Sequence, residues 1–429
     1  MSAEPPANPE SVFTYGCPAL KFGPGASDDI GYDLGELGVR RVLVITDPRV
    51  AATGHPQRIA DQMAKFGIEA LVYDGVHVEP TDVSMNAAVE HARSEGPFDA
   101  YVAVGGGSSI DTAKAINLLT TNPGELTDYL NAPIGAGKAP AKPLHPLVAV
   151  PTTTGTGAES TTICVLDVLS LKVKTGISHP RLRPTLAVVD PLLTLTQPAG
   201  VTASAGMDIL CHALESYTAR PYQSYERKQP EQRVPYCGAN PIADMWSQNA
   251  LRLLARSFRA AVRDGDDLAA RSDMSLAATM AGLGFGNAGV HIPHANAYPI
   301  AGRVKDFHPD GYPADEPMIP HGLSVVLTAP EAFRFLFEAR PDRHVHAAEL
   351  LAPEMDRPDD PAEFLPAALL ALMRDVGIAN GIGGVGYGES DVPDLVEGAM
   401  KQQRLLATAP RPVTEDDLAG ILTRSVSLW

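Results

Sequence analysis

The stretch GMDILCHALESY, residues 206–217, carries an aspartate and a histidine at a spacing that suits metal binding. Apolar residues recur there at intervals of three and four, which predicts a helix. Asp208 and His212 are four residues apart, so their side chains leave the same face of that helix one turn apart. A carboxylate and an imidazole presented in this way can bind one divalent metal. The alternative is an ordinary charge–imidazole pair on a solvated face, which the spacing alone leaves open.

Two histidines far downstream decide between these interpretations. His294 lies in the segment GFGNAGVHIPHANAYPIAG, three residues after His291, and His321 stands in IPHGLSVVL. Taken singly, each is an ordinary core or surface residue. If His294 and His321 converge on the first helix, the four side chains form a site that suits Fe²⁺ and Zn²⁺ alike.

A second candidate site follows a buried, strand-like run at residues 98–104. Three glycines and a serine come next, and residues 109–119 then show helical periodicity. Glycines let backbone N–H groups approach a phosphate, and the helix N-terminus adds partial positive charge. A tight turn without a ligand is the alternative, because the spacing is not that of GxGxxG. The residues assigned to this cofactor site are Gly106, Gly107, Ser108 and Asp111.

Two further features extend the cofactor prediction. The loop PTTTGTGAE, residues 151–159, follows another buried run, and its hydroxyls can hydrogen-bond a nicotinamide or a phosphate. A capped helix start would use the same residue types. Asp47, at the end of the first buried run, is placed to accept hydrogen bonds from a ribose and would repel a 2′-phosphate, which favours NAD over NADP. Its other interpretation is a turn former ahead of Pro48.

The order of buried runs and helical patterns predicts two domains. Strand-like runs alternate with helices up to about residue 190, which indicates a parallel, doubly wound sheet. ICVLDV and LKVKTGIS predict a hairpin beside it. We therefore expect an α/β dinucleotide-binding domain over residues 1–200 and an all-helical, metal-binding and catalytic domain over residues 201–429. The predicted strands are 41–46, 70–74, 98–104, 147–150 and 185–190, and the predicted long helices of the second domain are 203–220, 241–263, 268–284, 321–339, 361–376 and 416–428.

Composition excludes several classes of partner. The chain has 429 residues, more than a single core usually organises, and a net charge of −17 that disfavours nucleic acid and anionic membranes. No apolar run approaches ~18 residues, so no membrane span is expected. Four scattered cysteines without a CxxC pair favour a reducing compartment. The opening MSAEPPANPES resembles neither a signal nor a transit peptide, so we expect a loose tail and a cytoplasmic protein.

The strings VGGGSSID, PTTTGTGAES, GMDILCHALESYT and PHG, in this order, resemble the iron-containing (group III) alcohol dehydrogenase family from about Val12 onward. The resemblance implies a dehydroquinate synthase-like architecture, NAD(H) and one Fe²⁺ or Zn²⁺. His291 falls where the family usually has no ligand, so it is expected to be structural. The implied metal ligands are Asp208, His212, His294 and His321, and the implied contacts to nicotinamide and ribose are Thr152, Thr153, Thr156 and Lys174.

One departure from the family pattern concerns the proton relay. Tyr298 stands where many relatives have the second histidine of an H-x-M-x-H-like motif, so Tyr298 and His212 are the expected catalytic residues. This tyrosine and the insertion at residues 221–240 resemble the hydroxyacid–oxoacid transhydrogenase branch. That branch implies oxidation of 4-hydroxybutyrate to succinic semialdehyde while 2-oxoglutarate becomes 2-hydroxyglutarate.

The expected partners are therefore a small hydroxyacid, oxoacid or alcohol and a second copy of the chain, as a homodimer. An ordinary NAD-dependent alcohol dehydrogenase and a dehydroquinate-synthase-like lyase are the rival enzymes, and a non-enzymatic binding role is a third alternative. A carboxylate substrate needs a cation in so acidic a protein. The candidates are Arg220, Arg227, Lys228, Arg233, Arg303 and Lys305.

Overall fold

The computed structural model describes residues 6–171 and 173–429. Its chain forms two compact units, Cys17–Gln197 and Pro198–Trp429, and the segment up to Gly16 belongs with the second. The first five residues of the predicted tail and Lys172 of the predicted hairpin lie outside the described residues.

A six-stranded parallel sheet forms the centre of the first unit, with strand order β1-β8-β5-β4-β2-β3. Apart from the half-buried Arg41 at the start of β2, strands β2, β4 and β5 are fully buried, as strands covered by helices on both sides must be. This sheet confirms the predicted α/β class. The strands of the sheet are β1 (Ala19–Phe22), β2 (Arg41–Ile45), β3 (Glu69–Tyr73), β4 (Ala100–Gly105), β5 (Leu147–Pro151) and β8 (Leu186–Val189).

An antiparallel hairpin lies apart from the sheet, as ICVLDV and LKVKTGIS predicted. Its strands are β6 (Ile163–Val168) and β7 (Val173–Ser178). The edge strand β1 was not predicted, because it is four residues long and mostly exposed, so it lacks the buried apolar run of the other strands. The helices of this unit are α1 (Ile30–Glu36), α2 (Pro48–Ala52), α3 (His55–Ala64), α4 (Asp82–Glu95), α5 (Gly107–Thr121) and α6 (Leu126–Tyr129).

Helices dominate the second unit, which confirms the predicted helical region. Its core is built around α7, which is buried on all sides and packs against α8 and α9. Gly206 of α7 faces Phe258 of α8, and a Cβ there would lie 2.1 Å from the ring. The helices are α7 (Ala199–Thr218), α8 (Pro241–Arg263), α9 (Leu268–Ala288), α10 (Ile292–Gly302), α11 (His321–Val326), α12 (Ala329–Leu336), α13 (Pro341–Leu351), α14 (Phe364–Asp375), α15 (Val392–Met400), α16 (Gln403–Leu406) and α17 (Glu415–Arg424).

The sequence predicted a loose N-terminal tail within the first domain, but the described residues 6–16 are bonded to the helical unit. The buried Glu10 carboxylate accepts a hydrogen bond from the backbone N–H of Lys228 at 2.9 Å and pairs with Arg233 at 3.3 Å. Further along, the N–H of Gly16 donates to Asn287 Oδ1 at 3.0 Å. These bonds hold residues 6–16 on the helical unit.

The single helix predicted over residues 321–339 is divided in two. Helix α11 ends at Val326, and α12 begins at Ala329 with Pro330 in its first turn. A proline lacks the N–H that a continuous helix would need at that position, and its ring clashes with the preceding turn. Proline at residue 330 is the signal that the periodicity argument overlooked.

Candidate metal and cofactor sites

Three imidazoles face one oxygen of Asp208 in the helical unit. The Nε2 atoms of His212, His294 and His321 lie 3.6, 3.5 and 3.9 Å from Asp208 Oδ1. The ligand atoms of Asp208, His294 and His321 are all within 4.8 Å of one another. Helix α7 supplies Asp208 and His212 one turn apart, while the first turns of α10 and α11 supply His294 and His321. The structure thus brings together the four residues predicted as ligands.

Buried polar atoms without hydrogen bonds line this cluster. Asp208 and His294 are 2% and 4% exposed, and neither Asp208 Oδ1 nor His294 Nε2 makes a hydrogen bond. Such orphaned atoms are costly unless something binds them, and a divalent cation satisfies both at once. The donor set therefore fits a metal.

The protonation states at this cluster also suit a metal. Burial lowers the pKa of His212 to about 3, so its ring is neutral and able to donate a lone pair. Burial alone would raise the pKa of Asp208, but the three imidazoles hold that pKa below its usual range. Burial would likewise lower the pKa of His294, yet Glu215 and Asp208 together raise it to about 9. A metal ion between these atoms would replace the proton on His294.

Glu215 is a site residue that the sequence reasoning missed. It is fully buried on α7, two turns after Asp208 on the same face. Its Oε2 accepts a hydrogen bond from Nδ1 of His294, and its Oε1 accepts from the backbone N–H of His291 at 2.7 Å and of His294 at 3.3 Å. Burial would raise the pKa of Glu215, but His294 reverses that effect and the pKa is lowered. The i, i+7 spacing from Asp208 was the available signal.

His291 lies outside the ligand cluster. Its Nε2 is 3.1 Å from Thr218 Oγ1, and its Nδ1 is 3.8 Å from Glu215 Oε1. Burial lowers the pKa of His291 to about 4, so the ring is neutral. It packs edge-on against Phe333. These contacts place the side chain in the core beneath the site.

Gly322 allows α11 to approach α7 closely enough to present His321. A Cβ at this glycine would lie 2.0 Å from the backbone oxygen of Ser204 and 2.9 Å from the Asp208 Cβ. The next residue, Leu323, donates its N–H to Ser204 Oγ at 3.1 Å. The glycine that follows His321 is therefore required by backbone contact.

Tyr298 follows His294 by one helical turn on α10. Its ring centroid is 6.4 Å from that of His321, with the two planes at 68°. The side chain is half-buried. The tyrosine predicted to replace a relay histidine is thus beside the metal cluster, and its catalytic role stays a prediction.

In the sheet unit, the glycine loop after β4 packs directly against the threonine-rich loop after β5. A Cβ on Gly106 would lie 3.0 Å from Thr153 Oγ1, and one on Gly107 would lie 2.9 Å from Thr156 Cγ2. The buried hydroxyl of Thr152 has no hydrogen-bond partner within the described parts of the chain. A side chain at either glycine would push the threonine-rich loop away. Glycines at the N-terminus of the 15-residue α5 therefore suit a phosphate-binding site.

Three predicted cofactor residues make structural contacts instead of facing open space. Asp47 caps α2, where its Oδ1 accepts from the N–H of Arg49 and Val50. Asp111 bonds Lys114 at 3.2 Å and the N–H of Val165 at 2.9 Å, so it ties α5 to the hairpin.

Lys174 is buried between two carboxylates, at 2.7 Å from Glu79 and 2.9 Å from Asp167. Burial would lower the pKa of Lys174, but these two acids raise it above its usual range. Ser108 belongs to the same cluster, since its Oγ accepts from the N–H of Glu79 at 3.2 Å. The roles of Asp47, Asp111 and Lys174 in cofactor binding stay predictions.

The six cations proposed for a substrate carboxylate have partners of their own. Arg303 and Lys305 pair with Asp394 and Asp391 of the α15 region at 3.0 and 2.7 Å. Arg233 pairs with Glu10, and the ammonium of Lys228 lies 5.3 Å from the centroid of the Tyr225 ring. Arg227 bonds Ser11, and Arg220 bonds Ser224 and stacks on Tyr225.

Comparison with known proteins places the whole chain. The family described as "Iron-containing alcohol dehydrogenase" matches residues 17–191, and "Fe-containing alcohol dehydrogenase family, C-terminal" matches residues 231–426. The mitochondrial hydroxyacid-oxoacid transhydrogenase of Bos taurus is 45% identical over 423 residues, covering 97% of this chain and 91% of that protein.

Solved structures show the same fold. A 1,3-propanediol oxidoreductase superposes with a TM-score of 0.84 at 32% identity, covering 96% of this chain and all of that one. The sulfoacetaldehyde reductase of Bifidobacterium kashiwanohense, solved with NAD⁺, superposes with a TM-score of 0.81 at 26% identity, covering 97% of this chain and 99% of that one.

The cytoplasmic location predicted from the sequence is wrong. The similar transhydrogenases of cattle, rat and human are all named as mitochondrial, which points to that compartment. All four cysteines are free, and free thiols do not distinguish one reducing compartment from another. Within the described residues, no helix combines the length and apolarity that a membrane crossing requires.

Proposed function

The chain belongs to the iron-containing alcohol dehydrogenase family, and we propose that it is a metal-dependent hydroxyacid–oxoacid transhydrogenase. It is an oxidoreductase, and family membership implies iron and a nicotinamide cofactor. The observation that carries the proposal is the convergence of three imidazole nitrogens within 3.9 Å of Asp208 Oδ1, a buried oxygen with no hydrogen bond. The named relative at 45% identity supports the substrate class.

We assign the metal to Asp208, His212, His294 and His321, and choose Fe²⁺ from the family, although the donors suit Zn²⁺ equally. A metal bound there would polarise the substrate oxygen and lower the pKa of an alcohol. Glu215 holds His294 so that Nε2 faces the site. Phe285 stacks on His212 at 3.8 Å between ring centroids and shields that ring from water.

We assign the pyrophosphate of NAD(H) to the backbone N–H groups of Gly106, Gly107 and Ser108. We assign the hydroxyls of Thr152, Thr153 and Thr156 as hydrogen-bond donors to the nicotinamide end of the cofactor. Asp47 and Lys174 complete the proposed ribose contacts, and Asp111 supports them from within α5. Bound NAD⁺ supplies the hydride acceptor, and the chain's own part is to orient it and keep water away.

The overall reaction balances without free NADH. The hydroxyacid 4-hydroxybutyrate loses a hydride from its alcohol carbon and a proton from its hydroxyl, and becomes succinic semialdehyde. The oxoacid 2-oxoglutarate gains a hydride and a proton, and becomes 2-hydroxyglutarate. Tyr298, beside His321, is the proposed group for exchanging the proton.

The test is turnover with both substrates and no added nucleotide. Iron-loaded protein carrying only copurified NAD(H) should convert 4-hydroxybutyrate and 2-oxoglutarate to the two products in equal amounts. Asp208→Ala should abolish this turnover and the bound metal together. Chromatography of the four acids provides the measurement.

One outcome would replace the proposal with an ordinary NAD-dependent alcohol dehydrogenase. If turnover depends fully on added NAD⁺ and 1-butanol reacts as well as 4-hydroxybutyrate, the transhydrogenase assignment fails. The similarity to a 1,3-propanediol oxidoreductase is the observation that supports this second function.

A further inference from the structure

Tyr236, in the insertion at residues 221–240, has an unusual backbone conformation. Its φ is +68°, in the left-handed region that residues other than glycine rarely adopt. Such a conformation costs free energy that the surroundings must supply, and residues of this kind are enriched at functional sites. The need to connect two helices does not by itself explain why a tyrosine adopts this conformation.

The end of the insertion is fastened to the connection between α9 and α10. The N–H groups of Cys237 and Gly238 donate to the carbonyls of Asn287 and Ala288 at 2.9 and 3.0 Å. The ring of Tyr236 then lies against Gly289, where a Cβ would be 3.4 Å from it. Gly289 comes five residues before His294, so the insertion delivers this tyrosine to the segment that carries a proposed metal ligand.

Tyr236 packs on a segment that leads directly to the metal cluster. His291, two residues after Gly289, donates its backbone N–H to Glu215 at 2.7 Å, and Glu215 accepts a hydrogen bond from His294. Burial raises the pKa of Tyr236 well above its usual range, although the nearby charge of Arg404 lowers it.

Arg404 places a positive charge over the same ring. Its guanidinium carbon is 4.9 Å from the Tyr236 ring centroid, and its side chain is exposed to solvent. It belongs to α16, whose following residues are tied to the insertion: Tyr225 donates its hydroxyl to the Ala407 carbonyl at 3.3 Å, and Thr408 accepts from the N–H of Arg220 at 3.0 Å. Two segments 168 residues apart thus meet at the α9–α10 connection, which leads to His294.

We propose that Arg404 and Tyr236 form the subsite that recognises the carboxylate of the substrate. The inference rests on the proposed function for its substrate class, a short hydroxyacid or oxoacid. The guanidinium offers a planar pair of N–H donors that matches a carboxylate, and the tyrosine hydroxyl adds a third donor. In a protein of net charge −17, such a local cation is what an anionic substrate needs. This subsite is an alternative to the six cations named from the sequence, whose role in carboxylate binding stays a prediction.

The first test measures carboxylate binding without any turnover. Glutarate, an unreactive dicarboxylate, is titrated by calorimetry into the iron- and NAD⁺-loaded protein. Arg404→Met should weaken glutarate binding by about 30–100-fold, the loss expected for a charge-assisted pair, and Tyr236→Phe by about 3–10-fold for one neutral hydrogen bond. Arg411→Met is the matched control, because Arg411 also lies over an aromatic ring, that of Phe335 at 4.4 Å, and it should bind glutarate as the parent protein does.

The second test separates recognition from structural support. Arg404→Met should lower kcat/KM for 4-hydroxybutyrate by the same factor while leaving that for 1-butanol, measured with added NAD⁺, within about 2-fold. Equal losses for the acid and the alcohol would mean that Arg404 only supports the fold. Parent protein that does not bind glutarate, or Arg404→Met that binds it unchanged, would also overturn the subsite. The proposed function can fail while the subsite stands. In that case turnover would require added NAD⁺, but glutarate binding would still depend on Arg404.

Discussion

The carboxylate of Glu215 accepts a hydrogen bond from Nδ1 of His294, and this bond determines that the other ring nitrogen faces Asp208. A histidine that donates from one nitrogen has a fixed tautomer and a more basic second nitrogen, both of which favour metal binding. The backbone N–H groups of His291 and His294 hold the same carboxylate in place. Glu215 is therefore a positioning residue for the proposed metal ligand.

Glu215→Gln should reduce the affinity for Fe²⁺ or Zn²⁺ by about 10–100-fold, since an amide is a weaker acceptor and can present its donor side to His294. Metal titration followed by calorimetry measures the effect. The metal-free protein should also unfold at a lower temperature near neutral pH, because the change removes the buried carboxylate that pairs with His294, so metal affinity is the deciding measurement. Glu397→Gln, on the exposed face of α15, is the control and should bind metal normally. Unchanged metal affinity in Glu215→Gln would remove the positioning role.

The ligand assignment is tested by comparing two histidines three residues apart. His294→Ala should lose both the metal and turnover, because the remaining donors form an incomplete site. His291→Ala should keep most of its metal, since the His291 side chain faces Thr218 and only its backbone contacts Glu215 closely. It should still be less stable, because a buried ring leaves a cavity. Elemental analysis of the purified variants decides: metal content that followed His291 and ignored His294 would reverse the assignment.

Gly322→Ala should disturb the site through the backbone alone. The new Cβ would lie 2.0 Å from the carbonyl oxygen of Ser204, so α11 must move away from α7 and carry His321 with it. Overpacking of this kind typically costs about 1–3 kcal/mol, and metal affinity should fall as well. Gly302→Ala is the control, because no atom lies within 4 Å of a Cβ there. Thermal unfolding and metal titration of both variants measure the difference, and equal behaviour would contradict the close approach.

Features formed by residues close together in the sequence could be predicted. Asp208 and His212 share one helix, so their common face was readable from a spacing of four, and Glu215 was equally readable at a spacing of seven. Apolar runs such as β4 identified the sheet because strands covered on both faces leave no polar positions.

Features that depend on distant segments could not be predicted in this way. Tyr236 and Arg404 meet only because the insertion is fastened to the α9–α10 connection, and no periodicity links residues so far apart. The bonds of Glu10 to Lys228 and Arg233 are equally nonlocal, which is why the N-terminal segment looked loose. The ion pairs of Lys174 also depend on Glu79, 95 residues earlier.

The preference for NAD(H) is tested at Asp47 by a change that keeps the helix cap. Asp47→Ser removes the negative charge, while a serine oxygen still caps α2 in place of Asp47 Oδ1. The parent protein should bind NAD⁺ more tightly than NADP⁺. Asp47→Ser should reduce the ratio of the two affinities, because the carboxylate that repels a 2′-phosphate is gone. Asp47→Gly should reduce the same ratio, with a small additional loss of stability because the helix cap is missing. Calorimetry with both nucleotides checks the order, and tighter NADP⁺ binding by the parent protein would contradict it.

Tyr298 provides the last prediction, because it follows His294 by one helical turn and its ring lies 6.4 Å from that of His321, between centroids. Tyr298→Phe should keep its metal and its glutarate affinity but lower kcat by about 10²-fold or more, the usual contribution of a positioned proton-transfer group. Tyr298→His restores a titratable group at the same place, so it should recover part of the rate and shift the pH profile of kcat toward the range where imidazole titrates. A merely structural role would lower the rates of both variants without changing the pH profile. Full activity in Tyr298→Phe would show that the proton leaves by another route, with water as the carrier.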